Sequence, residues 1–127
     1  MARKDPDKYI GRWVETPCEP IGLPFSVASF AEILRSATGS SGEYSHQQIA
    51  DWSQRLWWEF SEGSLQGSAT PELRHAAEVA LDVDAQWDLF LVNTFSLAEL
   101  QAMDFSKVRL PQDWFQDWLR ELEERAV

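Results

Sequence analysis

Cysteine and histidine are scarce in this sequence, which contains one Cys and two His among 127 residues. A single thiol, Cys18, excludes an internal disulfide bond and any zinc site built from several cysteines, so a reducing compartment is the expected environment. Cys18 is followed by Glu19, and a neighbouring carboxylate raises the pKa of a thiol and suppresses the nucleophilic thiolate. Thiol catalysis is therefore not indicated.

Long apolar runs are also lacking. No run approaches the roughly 20 residues that a helix needs to span a bilayer. The first residues, MARKDPDKY, have no apolar core of the kind found in a secretory signal. We therefore expect a cytoplasmic protein that makes no use of a membrane.

Basic residues are few compared with acidic residues. The chain holds 11 Lys and Arg against 21 Asp and Glu, which gives a formal net charge of -10. Residues 1–39 carry five basic and five acidic side chains, whereas 40–127 carry six basic and sixteen acidic ones, so all of the net charge belongs to the second part. Such a balance disfavours binding to nucleic-acid phosphates or anionic lipid and permits a basic protein partner.

Sequence motifs of common enzyme classes are missing. There is no Gly-x-Ser-x-Gly elbow, and the glycines at 39 and 42 lack the Lys and Ser/Thr that complete a phosphate-binding loop. Apolar runs of period two and the Asn-Gly or Asp-Gly pairs of tight hairpins are also missing. The sequence therefore predicts no catalytic residues, no cofactor and no strands.

One stretch, 70–93, dominates the predicted fold. Thr70 can cap a first helical turn, Pro71 has no amide to leave unpaired, and Glu72 faces the positive end of the helix dipole. Seven apolar residues then recur at three- and four-residue steps and predict one buried stripe: Ala76, Val79, Ala80, Val83, Trp87, Phe90 and Leu91. Four acidic residues are expected to lie mostly off this stripe: Glu78, Asp82, Asp84 and Asp88.

Apolar periodicity and Ser-x-x-Glu or Ser-x-x-Gln capping boxes predict four further helices. Ser26 and Ser29 are alternative caps for the first of them. We therefore predict an all-α fold, a compact, irregular or orthogonal bundle of four main helices and one or two short ones. The second, third and last helices are expected to form the core. The predicted helices cover 27–36, 45–61, 71–93, 97–103 and 111–125.

The remaining segments complete a single predicted domain, 1–127. Residues 1–24 contain four prolines, which disfavour helix, so this segment is expected to run extended across the body as a strap. Residues 62–69 read as a flexible loop that connects two long helices.

Seven tryptophans are an unusually large number for 127 residues. Adjacent Trp57 and Trp58 point about 100° apart on a helix, and Trp58 is the best candidate for an exposed ring, followed by Trp13. The last helix repeats carboxylates on its outer side, at Asp113, Asp117, Glu121 and Glu124. The sequence thus predicts an acidic interaction module, an adaptor or inhibitor of a basic protein, in which charge steers association and Trp adds short-range energy.

A rival interpretation rests on His75, Glu78 and Asp82. Their steps of three and four place imidazole and carboxylate groups on one side of the long helix, and these are metal-ligand groups. A second helix would have to complete the site, with His46 or Asp51 as donors. The alternative function is therefore a metal-dependent hydrolase, while the simplest interpretation of the same three residues is a solvated face.

Overall fold

The computed structural model of the chain describes residues 15–39, 42–65 and 70–124. Within these ranges the fold is all-α, as predicted: five α-helices and one short 3-10 helix form, and there is no strand. The predicted helix bounds that fall on described residues agree with the structure to within two residues, and residue 125, the predicted end of the last helix, lies outside the described ranges. The helices are α1 (Val27–Thr38), α2 (His46–Ser61), α3 (Pro71–Thr94), α4 (Leu97–Ala102) and α5 (Gln112–Glu124), with the 3-10 helix at Phe105–Lys107.

Local capping explains where the helices begin. The Ser45 hydroxyl accepts a hydrogen bond from the Gln48 amide at 3.0 Å, and the Gln48 side chain accepts one from the Ser45 amide at 2.9 Å. The same reciprocal pair opens α4. At α1 the Ser26 hydroxyl accepts from the Ser29 amide at 3.1 Å, so the helix begins at the earlier of the two alternatives.

The helices pack as two pairs. α2 lies along α3, α1 lies along α5, and α3 joins the pairs by contacting both α1 and α5. The prediction that the second, third and last helices form the core is incomplete, because α1 supplies the layer on which α5 packs. The fully buried members of α1 are Phe30, Ile33 and Leu34.

An extended segment, 15–24, crosses the α2–α3 pair without forming a helix or a strand. The indole Nε1 of Trp87 donates to Glu15 Oε1 at 3.0 Å, and Gln47 Nε2 donates to the other oxygen of the same carboxylate at 3.1 Å. Trp87 and Gln47 are both buried, so these bonds satisfy donors that burial would otherwise leave without a partner.

Two predicted segments are described only in part. Of the strap (1–24) and the connecting loop (62–69), the structure describes 15–24 and 62–65. The remaining residues of both lie outside the described ranges. A turn forms at 62–65, and Gly63 adopts a φ of 79°, the left-handed conformation expected of a glycine just past a helix end.

Asp84 and Asp88 differ from the sequence-based expectation. The sequence predicts that both lie mostly off the buried stripe of the long helix, yet their exposed fractions are only 1% and 6%. They lie within about 100° of Trp87 around α3, and the hydrogen bond from Trp87 to Glu15 shows that the extended segment passes close by. α3 is therefore covered over a wider arc than its apolar residues alone indicate.

His46, the first residue of α2, links this helix to the chain that leads into α5. Its Nδ1 accepts a hydrogen bond from the Leu110 amide at 2.8 Å, and its ring packs on Phe115 with the centroids 4.5 Å apart. Burial, and secondly the cation of Arg109, lowers the pKa of His46 from 6.5 to about 4. His46 is therefore neutral at pH 7 and available as an acceptor.

We expect the free energy of unfolding to fall as the pH drops from 6.5 to 4, because in this window the unfolded chain binds a proton that folded His46 does not. For a fully buried imidazole, this pKa shift would correspond to a loss of about 3 kcal/mol in the free energy of unfolding. We expect a loss of about 1–2 kcal/mol because the His46 side chain is partly exposed. Urea unfolding at several pH values measures the loss. His46→Asn keeps an acceptor for the Leu110 amide without the titration, so its profile should be flatter; equal slopes would contradict the prediction.

Candidate interaction surface

The acidic residues predicted on the outer side of the last helix are all exposed in α5. This acidic row consists of Asp113, Asp117, Glu121 and Glu124. Helix α5 as a whole carries five acidic side chains and one basic side chain, a net charge of -4. The basic residue, Arg120, lies 3.1 Å from Asp117 in an exposed ion pair, which screening by water makes weak.

Trp58 is exposed to 43%, whereas Trp52 on the same helix is buried to 99%. Trp58 lies on α2, however, and α5 packs on α1 and α3. The structure therefore places the exposed ring and the acidic row on different helix pairs, and a binding role for Trp58 stays a prediction. Trp13, the second predicted contact, lies outside the described residues.

The structure does not bring His75, Glu78 and Asp82 together as a group of three ligands. Among the described residues, no group of three His, Cys, Asp or Glu side chains is arranged to hold a metal ion. His75 Nε2 lies 2.8 Å from the Glu121 carbonyl, and since a carbonyl only accepts, this nitrogen carries the proton. Asp82 Oδ2 accepts the indole N–H of Trp118 at 2.8 Å. Two of the three predicted ligands thus fasten α5 to α3.

The contacts between α3 and α5 show that the two helices run antiparallel. As residue numbers fall along α3 from 90 to 82 to 75, those of the partners in α5 rise from 114 to 118 to 121. Asp117 and Glu121 lie within about 100° of Trp118 around α5. The α1 contact is on another side of α5, where Arg35 meets Glu123 at 2.9 Å. The acidic row therefore borders the outer surface of α3.

That outer surface of α3 carries a second apolar stripe. Leu89 and Val92 are exposed to 49% and 37%, and with Trp58 they are the exposed large hydrophobic side chains of the described residues. Two less exposed residues precede them at helical spacing. We call the four residues the outer stripe: Leu81, Ala85, Leu89 and Val92. Their spacing of four, four and three residues places them on one face of the helix.

Carboxylates line one edge of the outer stripe, the edge nearer α5. Glu78 and Asp82 are exposed and lie one turn before Leu81 and Ala85 respectively, on the side where Asp82 accepts the N–H of Trp118. On the side that faces α5, the acidic row continues the negative border. Sequence reasoning missed this surface because it followed only the buried stripe. The available signal was a second apolar periodicity on the opposite face of the same helix.

A groove of about 570 Å³ lies on the other side of α5, where the end of α1 meets it. Leu119 is its half-buried apolar residue, and the Arg35–Glu123 ion pair lies at its edge. Its charges are mixed, so it attracts a ligand of either sign less strongly than the acidic row attracts a cation. The lining residues are Thr38, Gln116, Leu119, Arg120, Glu123 and Glu124.

The structure accounts for the low reactivity expected of Cys18. Burial raises the pKa of this thiol, and the carboxylates of Asp51 and Glu15 raise it further. These carboxylates, and not the adjacent Glu19 as the sequence predicts, are the charges that raise the pKa of the thiol. The thiol is therefore protonated at neutral pH and is a poor nucleophile.

Within the described ranges, no helix combines the length and the apolar character needed to cross a bilayer. Comparisons of the chain with protein-family models, with curated proteins and with solved structures find no match.

Proposed function

We propose that this protein is a cytoplasmic interaction module, an adaptor or inhibitor that binds a basic segment of a protein partner. The observation that supports this most directly is the acidic row of α5, which is exposed along the helix and only partly offset by Arg120. Nucleic acid and anionic membranes are unsuitable partners because the same carboxylates repel phosphate.

The physical role of the row is to attract and orient the partner. A single exposed ion pair contributes at most about 1 kcal/mol, so affinity requires several pairs and some apolar contact. Long-range attraction between opposite charges chiefly raises the association rate, and salt screens it. Trp58 offers a separate contact, where an Arg or Lys of the partner can gain about 0.5–1 kcal/mol by lying over the ring.

We expect the double variant Glu121→Gln and Glu124→Gln to bind a lysine-rich helical peptide about fivefold more weakly than the unmodified protein at about 50 mM salt. At about 500 mM salt the difference should vanish because the charges are screened. Titration calorimetry or fluorescence anisotropy measures both values. The matched control is Glu19→Gln with Glu32→Gln, which removes the same charge from exposed positions outside α5.

The two double variants have the same net charge, so only the location of the removed carboxylates differs. An equal loss of affinity in both would mean that overall charge, and not the acidic row, attracts the peptide. No binding to the unmodified protein at low salt would reject the proposed function itself. A pull-down from native cell extract at low and at high salt can then identify the natural partner.

A further inference from the structure

We propose that the outer stripe of α3 is the docking surface for the partner, and that the docking segment is a basic amphipathic α-helix. This inference rests on the proposed function and names the surface and the partner chemistry. It combines the exposed apolar residues of α3 with the carboxylates that border them.

Leu89 and Val92 expose large aliphatic side chains to solvent. Both lie on a helix whose opposite face already fills the core, with Trp87 and Leu91 fully buried. A helix that is apolar on two sides normally has a second partner, because exposed aliphatic groups that lie together gain free energy when covered. Covering the outer stripe with the apolar side chains of a partner would therefore lower the free energy.

The geometry of the stripe indicates a helical partner. Leu81 and Val92 are eleven residues apart, which is about 16 Å or three turns along the helix. Apolar residues at steps of four, four and three present the regular ridge on which another helix can place its own apolar face. The bonds from His75 and Asp82 to α5 hold the neighbouring acidic row in place. A surface organised before binding loses less conformational entropy in the complex.

Charge identifies the chemistry of that helix. Glu78 and Asp82 lie on the edge of the stripe nearer α5, and Asp117 and Glu121 of α5 lie beside that same edge. A second copy of this chain would bring the same carboxylates against these ones, and an anionic lipid surface would meet the same repulsion. A helix with Leu or Ile on one face and Lys or Arg beside it complements both the stripe and its borders.

The test uses two synthetic peptides of identical Leu, Lys and Ala composition. In one, the leucines fall on a single helical face, and in the other they are distributed around the helix. We expect the amphipathic peptide to bind the full chain at least about tenfold more tightly, because only it can bury its leucines on the outer stripe. The double variant Leu89→Ser and Val92→Ser should lose about tenfold in affinity for the amphipathic peptide alone.

Ala28→Ser is the control, since it makes an exposed apolar position of α1, away from the outer stripe, polar and should leave this affinity unchanged. Thermal melts verify that all variants are folded. Equal binding of both peptides, weakened only by the changes in the acidic row, would overturn the docking surface and leave the proposed function standing. Binding of neither peptide would overturn both. Sedimentation that shows a dimer abolished by the Leu89 and Val92 changes would assign the stripe to a second copy instead.

Discussion

Replacement of Trp87 with alanine is expected to lower the free energy of unfolding by about 3–5 kcal/mol. Trp87 is fully buried in the middle of α3, so its removal leaves a large cavity among side chains that cannot collapse to fill it. The change also deprives the Glu15 carboxylate of its indole donor. For a domain of this size the loss can exceed half of the total stability. Urea unfolding followed by circular dichroism measures it.

Two further variants test the cause of that loss. Trp87→Phe keeps much of the ring but removes the N–H, and should cost about 1–2 kcal/mol. Trp58→Ala removes an equally large side chain that is 43% exposed, and should cost less than about 1 kcal/mol. A similar cost for Trp58→Ala and Trp87→Ala would contradict the assignment of Trp87 to the centre of the core.

Replacement of Trp118 with alanine is expected to cost about 3 kcal/mol, the second largest effect that we predict. Trp118 is 5% exposed, and its ring packs on Phe115 with the centroids 5.3 Å apart. Its N–H donates to Asp82 at 2.8 Å, so the variant also removes a contact that fastens α5 to α3. Because the acidic row and the outer stripe are held together by this contact, peptide affinity should fall as well.

A double-mutant cycle separates the hydrogen bond from the packing. Trp118→Phe and Asp82→Ala should each destabilise the protein, and their effects should be non-additive by about 1 kcal/mol because both remove one bond. Glu78→Ala is the matched control: it lies one turn from Asp82 and is exposed, so it should add to Trp118→Phe without coupling. Full additivity in the Asp82 cycle would show that the bond contributes nothing.

The helices themselves follow from local signals in the sequence. Thr70 accepts a hydrogen bond from the Leu73 amide at 3.1 Å, with Pro71 in the first turn as predicted. The capping boxes at Ser45 and Ser96 form as their spacing indicates. Such signals act over three or four residues, so they can be read without knowledge of the rest of the molecule.

The sequence alone therefore determined the all-α class, the described helix bounds to within two residues and the exposure of the acidic row. It also determined six of the seven members of the buried stripe of α3, the exception being the half-buried Phe90. Only the tertiary structure decided that Asp84 is buried, that Asp82 binds Trp118 and that Leu89 remains in solvent. The physical reason is that apolar periodicity shows which face of a helix prefers to leave water. It does not show how wide an arc the neighbouring segments cover, nor which of two apolar faces they leave open, because those depend on contacts between residues far apart in the chain.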